Sequence, residues 1–157
     1  MTSPFEPALQ LAGMADRYQS RLGIRHSLRS LGDAEMDEIF RAILQARCDA
    51  LVVFPDAAMF AVSDRIARFA SQARVPSVSG WGSFARNGLL LTYGPNVQEI
   101  YRSLARYVDR ILRGTKAAEL PVELPTRFEL VINLGTAKAL GLDIPPTLLA
   151  RADEVIE

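Results

Sequence analysis

The stretch that decides the fold of this chain is Asp49-Ala50-Leu51-Val52-Val53-Phe54-Pro55-Asp56. Residues 50–54 form an uninterrupted apolar run of strand length, and Pro55-Asp56 stops it. Such a run is typical of a strand that is buried on both faces of a parallel sheet. We therefore expect this segment to be the central strand of an α/β fold.

Helical and strand-like segments alternate on both sides of this run. Apolar residues three or four positions apart predict the helices, and short apolar runs beside turn residues predict the strands. The predicted helices cover 11–22, 33–44, 59–73, 97–112 and 135–140, and the predicted strands cover 24–28, 50–54, 75–79, 89–92 and 128–132. This order predicts four or five largely parallel strands with helices on both faces of the sheet.

The helix over 97–112 has clear signals for its start and its burial. Asn96 can cap the first turn, and Glu99 supports that cap. The apolar side chains fall on one stripe, which we expect to be buried: Val97, Ile100, Leu104, Val108, Ile111 and Leu112. Residues 115–127, here called the strap, contain prolines and no helical stripe, so they predict an extended connection.

The composition excludes several classes of protein. The chain has 157 residues, and 18 Lys and Arg balance 18 Asp and Glu. This balance removes the electrostatic basis for tight binding to nucleic acid or to an anionic membrane surface. No apolar run approaches the ~18 residues of a membrane span, and no export signal is recognisable at the start. We expect a soluble, cytoplasmic domain as the sequence is written.

Metal, disulfide and cofactor chemistry is not expected. Cys48 is the only cysteine, so it has no second thiol for a disulfide or a metal site. Residues 80–85 match a glycine-rich dinucleotide fingerprint, but 86–88 predict a turn into a strand instead of the required helix. His26 is the only histidine, and no Gly-x-Ser-x-Gly elbow is present. We therefore expect no enzymatic activity and no catalytic residues.

Residues just after the strands are the candidate binding residues. Ligands of open parallel sheets bind beyond the carboxyl ends of the strands. Asp56 either caps the next helix or presents a carboxylate to a ligand. Trp81, between two glycines, is either a flat stacking surface or a packed lid. Tyr93 follows the strand at 89–92, and its alternative is a tight turn at the rim of the core.

Several stretches closely resemble the end of ABC-transporter substrate-binding proteins of the type I periplasmic fold. These stretches are DALVVFPD at 49–56, LLLTYGP at 89–95, LPVELPTRFELVIN at 120–133, TAKALGL at 136–142 and IPPTLLARADE at 144–154. The resemblance runs from about Leu11 to the end of the chain. Members of that family have two Rossmann-like lobes, joined by crossing straps, that close on a small solute. This chain matches only the later part.

The resemblance implies a division of the chain. Residues 1–10 would be an N-terminal extension, and 11–95 a Rossmann-like three-layer lobe with a mostly parallel sheet. Residues 96–157 would supply a helix, the strap, a strand and a tail, packed on the lobe or on a partner subunit. It also implies that Asp56, Ala57, Trp81 and Tyr93 line half of a solute cleft.

The function implied is non-catalytic binding of a small organic solute in transport. The partners would be the solute and an ABC transporter permease or a separate first lobe. A second copy in a homodimer is also expected, because large exposed apolar patches are rare on monomers and the apolar stripe of 97–112 would lack the lobe that covers it in the family. The alternative is a cytoplasmic interaction or regulatory domain, or a shortened gene product, that keeps the fold without transport. An export signal at the true start would place the protein in the periplasm.

Overall fold

The computed structural model describes residues 33–157. Contacts divide the chain into two units, residues 1–48 and 49–157. In the first unit, helix α1 (Asp33–Ala46) confirms the helix predicted there, with Met36 and Ile43 buried. The helix predicted over 11–22 and the strand predicted over 24–28 lie outside the described residues.

The second unit contains a five-stranded sheet flanked by helices. The strands, in spatial order, are β1 (Leu51–Val53), β2 (Ser77–Ser79), β3 (Leu91–Pro95), β4 (Phe128–Asn133) and β5 (Glu154–Ile156). The helices are α2 (Ala57–Ala61), α3 (Ser63–Gln72), α4 (Gly82–Arg86), α5 (Val97–Leu112), α6 (Leu134–Leu140) and α7 (Pro146–Leu149), with a 3-10 turn at Ala117–Glu119. None of the helices in residues 33–157 has the length and apolar character needed to cross a membrane.

The predicted parallel α/β sheet is confirmed, although β1 does not occupy its centre. β1 pairs in parallel with β2, and β2 pairs in parallel with β3. Within residues 33–157, β1 has a strand partner on one side only, so it forms an edge. Val53 is buried while Val52 is 60% exposed. The prediction of a central strand buried on both faces is therefore wrong for the described sheet.

One strand pair is antiparallel, and it moves an end of β4 to the carboxyl edge of the sheet. β3 and β4 pair antiparallel, with Gly94 opposite Glu129 and Pro95 opposite Phe128. Gly94 and Pro95 therefore continue the strand, which the sequence predicted to end at Thr92. The first residues of β4 consequently lie at the same edge as the last residues of β1, β2 and β3.

The helix α4 covers one face of this sheet, which we call the inner face. The amide of Asn133 donates to the carbonyl of Ala85 at 3.0 Å, and Phe84 and Val131 are fully buried. The sequence predicted no helix between residues 80 and 88, only a turn at 86–88 into a strand, so α4 is a correction. It is a single short turn of helix, and Gly88, with φ of +109°, follows it before the chain enters β3.

Helix α5 is capped as predicted but is not buried. The Asn96 side chain accepts a hydrogen bond from the backbone N–H of Glu99 at 3.0 Å. No residue of α5 is buried, and Leu104 and Val108 are 50% and 55% exposed. The strap packs instead on the polar side of the helix, where the hydroxyl of Tyr107 donates to the carbonyl of Pro121 at 2.6 Å. The predicted burial of the apolar stripe is therefore wrong within the described residues.

Candidate functional site

The backbones of three strand ends converge at the carboxyl edge of β1, β2 and β3. A Cβ atom on Gly94 would lie 1.9 Å from the carbonyl oxygen of Gly80, and a Cβ on Gly80 would lie 3.0 Å from Cγ of Pro55. Only residues without a side chain allow β2 and β3 to approach so closely at this point. The result is a closely packed floor, in which Gly94 is buried while Pro55 and Gly80 are half-buried, at the place where open parallel sheets bind ligands.

Asp56 lies at the β1 side of this floor and caps α2. The backbone N–H of Met59 donates to Oδ1 of Asp56 at 2.7 Å, and Asp56 has the extended backbone of an N-cap residue. The capping interpretation of Asp56 is therefore confirmed. Asp56 is exposed and uses Oδ1 for the cap, which leaves Oδ2 to accept a hydrogen bond from a polar group. Ala57, the first residue of α2, is also exposed.

Trp81 lies at the β2 side of the floor and is the N-cap residue of α4. It is half-buried, and its ring centroid lies 6.2 Å from that of Phe84. The ring of Phe84 in turn meets Phe60 edge-on at 5.8 Å. Trp81 is thus one end of a row of three aromatic rings, and the middle ring of the row, Phe84, is fully buried.

Tyr93 lies on the opposite face of the sheet. Successive side chains of a strand alternate between faces, and Thr92 is fully buried on the inner face. Tyr93 is 64% exposed and stacks on Phe128, with centroids 5.9 Å apart and an interplanar angle of 29°. Trp81 and Tyr93 therefore flank the floor from two sides and do not form a single stacked wall.

Glu129 and Asn96 complete the edge, and sequence reasoning missed Glu129 altogether. The side-chain amide of Asn96 donates to Oε2 of Glu129 at 2.6 Å. Glu129 is half-buried next to α4, since a Cβ on Gly82 would lie 2.5 Å from Oε1 of Glu129. The only signal in the sequence was its place at the start of a predicted strand. That signal locates Glu129 at this edge only if the strand is antiparallel.

An ion pair fastens α4 to the last strand. Nη2 of Arg86 lies 2.5 Å from Oε2 of Glu154, and Nε of Arg86 donates to both carboxylate oxygens. These hydrogen bonds lower the pKa of Glu154 below its ordinary value, and they raise the pKa of Arg86. Both side chains are about 40% exposed, so solvent screens the pair.

The Glu154 carboxylate is expected to give a small, pH-dependent contribution to stability. Because its pKa is lower in the folded chain than in the unfolded one, the contribution is complete above the ordinary Glu value and is lost as the pH falls through the lowered pKa. The difference in unfolding free energy between wild type and Glu154→Gln should be a fraction of ~1 kcal/mol at pH 7. It should shrink in acid, as measured by urea unfolding at pH 7 and pH 3.

The matched control for this measurement is Glu119→Gln, which changes an exposed glutamate in the 3-10 turn. Its difference from wild type should stay near zero at both pH values. If Glu154→Gln changes the unfolding free energy by the same amount at pH 7 and pH 3, the contribution of Glu154 to stability does not depend on its charge.

Two other features of the described residues add nothing to this edge. Within residues 33–157, no group of three or more His, Cys, Asp or Glu side chains is placed to hold a metal ion. A shallow surface groove lies around the end of α6 and is lined by residues from Leu134 to Ile144, none of them among the predicted binding residues.

Comparisons with known proteins indicate one protein family. A family model described as ABC transporter substrate binding protein matches residues 11–156. A search of curated proteins found no significant match. The chain resembles a conserved domain protein from Vibrio cholerae O1 biovar El Tor, with 26% identity and a TM-score of 0.78, over 94% of this chain and 50% of that one.

Two more distant solved structures share the fold. One is an ABC domain in complex with L-Trp from Streptococcus pneumonia, with 19% identity and a TM-score of 0.78, over 95% of this chain and 50% of that one. The other is the ligand-free, open structure of CD0873, a substrate binding protein with adhesive properties from Clostridium difficile. It has 18% identity and a TM-score of 0.61, over 99% of this chain and 52% of that one. The chain thus spans about half the length of the solved structures that it matches.

Proposed function

This chain belongs to the ABC transporter substrate binding protein family, and from that membership we propose that it binds a small organic solute at the carboxyl edge of β1, β2 and β3. The observation that carries the proposal is the close approach of Pro55, Gly80 and Gly94, which brings the residues at the ends of β1, β2 and β3 together at one edge of the sheet. Aromatic rings stand on both sides of this floor. Binding, without a chemical step, is the function that such an arrangement supports.

Each predicted residue has a distinct role in this proposal. Trp81 offers an apolar ring on the inner side of the floor, and Tyr93 offers one on the outer side. Oδ2 of Asp56 accepts a hydrogen bond from a polar group of the solute. Ala57 lies beside this carboxylate and leaves space where a larger side chain would stand. The complex of one structural neighbour with L-Trp supports including aromatic amino acids among the solutes to be tested.

The proposal includes a second wall for the site. Binding pockets normally bury about 70–90% of a ligand, and one strand edge covers only one side of it. A separate first lobe, or a second copy of this chain, would supply the other side by packing on the exposed apolar face of α5. In transport, the loaded protein would deliver the solute to an ABC transporter permease outside the cytoplasmic membrane.

The solute is expected to bind weakly to the chain by itself. With one wall only, we expect a Kd on the order of 1 mM, which corresponds to about 4 kcal/mol of binding free energy. The Kd is measured by isothermal titration calorimetry with L-tryptophan, other amino acids, small carboxylates and sugars. Solutes that do not fluoresce can also be followed through the emission of Trp81, the only tryptophan.

A double variant tests where the solute binds. Tyr93→Ala with Asp56→Ser removes one ring and the carboxylate, while the serine keeps an oxygen that can cap α2. Binding should be lost in this variant. The control is Val122→Ala, because Val122 on the strap is exposed like Tyr93 but lies outside both the edge and the apolar face of α5. A micromolar Kd for a solute and the wild-type chain would mean that a second subunit completes the site.

A second candidate function is an interaction or regulatory domain that keeps the fold without transport. The exposed apolar face of α5 favours it, because large uncovered apolar faces usually bind a partner. Absence of any saturable response to all four solute classes, in a folded chain, would favour this candidate over solute binding.

A further inference from the structure

Glu129 lies between the first turns of two helices that belong to different parts of the second unit. Its Oε2 accepts a hydrogen bond from the side-chain amide of Asn96 at 2.6 Å. Asn96 is the N-cap of α5, and its own backbone N–H donates to the carbonyl of Arg127 at 2.9 Å. The carboxylate is therefore tied to the point where the chain leaves the sheet for α5 and returns to it from the strap.

The other oxygen of Glu129 lies against the first turn of α4. A Cβ on Gly82 would be 2.5 Å from Oε1 of Glu129 and 3.3 Å from Nη1 of Arg86. Glycine at 82 is what lets the carboxylate approach this turn. Trp81, the N-cap of α4, provides no side-chain hydrogen bond to the first turn, which contains no acidic residue. Glu129 is thus the acidic side chain that lies against this turn.

The charge of Glu129 also acts on Arg86. The pKa of the Arg86 guanidinium is raised chiefly by its hydrogen bonds to Glu154 and, to a smaller extent, by the nearby charge of Glu129. Arg86 closes α4 at its other end, where it is fixed to β5. The short helix is therefore held between two carboxylates, of which only Glu129 also contacts α5.

We propose that Glu129 is a positioning residue of the solute site, which couples the orientation of Trp81 to the first turn of α5. A displacement of α5 shifts the Glu129 carboxylate through the hydrogen bond from Asn96. The carboxylate then shifts the turn that contains Trp81. Packing of a partner on the exposed face of α5 would in this way change the ring that the solute meets. The role in solute binding rests on the proposed function, whereas the coupling itself does not.

The experiment reads the fluorescence of Trp81 without any solute. Glu129→Leu removes both the charge and the acceptor, and Glu129→Gln keeps an acceptor for the Asn96 amide. Asn96→Ser keeps an oxygen that can cap α5 but removes the amide donor that reaches Glu129. Glu129→Leu and Asn96→Ser should both shift the Trp81 emission maximum to longer wavelength and increase quenching by acrylamide. Glu129→Gln should have a spectrum closer to that of the wild type than Glu129→Leu has.

The control is Glu123→Gln, on the strap. Glu123 accepts a hydrogen bond from the hydroxyl of Ser103 at 2.7 Å, so this variant disturbs α5 without touching Glu129. It should leave the Trp81 spectrum unchanged. Circular dichroism establishes that each variant is folded, and Asn96→Ser remains informative if the leucine variant fails to fold.

Two results would overturn the proposal. One is an unchanged Trp81 spectrum in folded Asn96→Ser. The other is an equal spectral shift in Glu123→Gln, which would show that any disturbance of α5 reaches Trp81. A failure to find a solute would contradict the proposed function but would leave these spectra, and the coupling that they measure, unaffected.

Discussion

Replacing Gly94 by alanine is expected to lower the free energy of unfolding by about 3 kcal/mol or more, because there is no space for even one additional carbon. The new Cβ would lie 1.9 Å from the carbonyl oxygen of Gly80 and 2.8 Å from its carbonyl carbon. These neighbours are backbone atoms, so no side chain can rotate away. The ends of β2 and β3 would have to separate, and the parallel pairing of Ser79 with Thr92 would weaken.

The measurement is urea unfolding followed by circular dichroism, with Gly135→Ala as the matched control. Gly135 lies in α6, and the nearest atom to its added Cβ is Oδ1 of Asn133 at 3.3 Å. Alanine in a helix is favoured over glycine by roughly 0.5–1 kcal/mol, so this variant should be neutral or slightly stabilised. Equal unfolding midpoints for the two variants would show that β2 and β3 do not approach as closely as the structure has them.

The same close approach links stability to the proposed site. If the Gly94→Ala variant folds by separating the ends of β2 and β3, the floor of the site becomes wider. We then expect this variant to lose its affinity for the solute while it keeps part of its free energy of unfolding. The two effects can be separated by measuring binding at a urea concentration at which the variant is still folded.

Local patterns were sufficient to predict the features that depend on neighbouring residues. The cap of α5 at Asn96 needs only an acceptor side chain before an amphipathic run, and it forms as predicted. The cap of α2 at Asp56 follows from the same rule. The parallel pairing of β1 with β2 follows from a predicted helix long enough to cross over between the two strands. These features define the carboxyl edge of the sheet, at which the candidate residues follow the strands.

Features that depend on distant residues could not be predicted in the same way. The apolar run at 128–132 reads the same whether the strand is parallel or antiparallel, and only the antiparallel register brings Phe128 to Tyr93 and Glu129 to Asn96. The helix α4 is too short to show a period. It forms because Phe84 enters the core, and this contact is made with Phe60, which lies more than twenty positions away.

The burial of α5 was predicted wrongly for a related reason. A hydrophobic stripe shows which face of a helix avoids water, but it does not show whether the covering element belongs to the same chain. Here the strap takes the polar face through Tyr107 and Glu123. The apolar face remains open within the described residues. An exposed apolar stripe of this kind therefore predicts that a partner packs on α5, and measurements of association can test this prediction.

We expect the 157-residue chain to associate with itself through α5 when no other partner is present. Each exposed Leu or Val that becomes fully buried contributes about 1.5–3 kcal/mol, and several such residues on two helices can offset the cost of association. The apolar face presents Tyr101, Leu104, Val108 and Ile111, all at least 46% exposed. Sedimentation equilibrium should give a mass near twice 17.3 kDa at high concentration.

Two charges on this face should abolish the association. The double variant Leu104→Glu with Val108→Glu would bury two carboxylates without partners, so it should sediment as a monomer with an unchanged circular dichroism spectrum. The control is Arg110→Glu, which alters charge on the opposite, polar side of the same helix and should leave the dimer intact. A wild-type chain that stays monomeric at every concentration would show that burial of this face alone does not offset the entropy lost on association. In that event, a partner for α5 would have to contribute contacts that a second copy lacks, as a first lobe with its own complementary surface would.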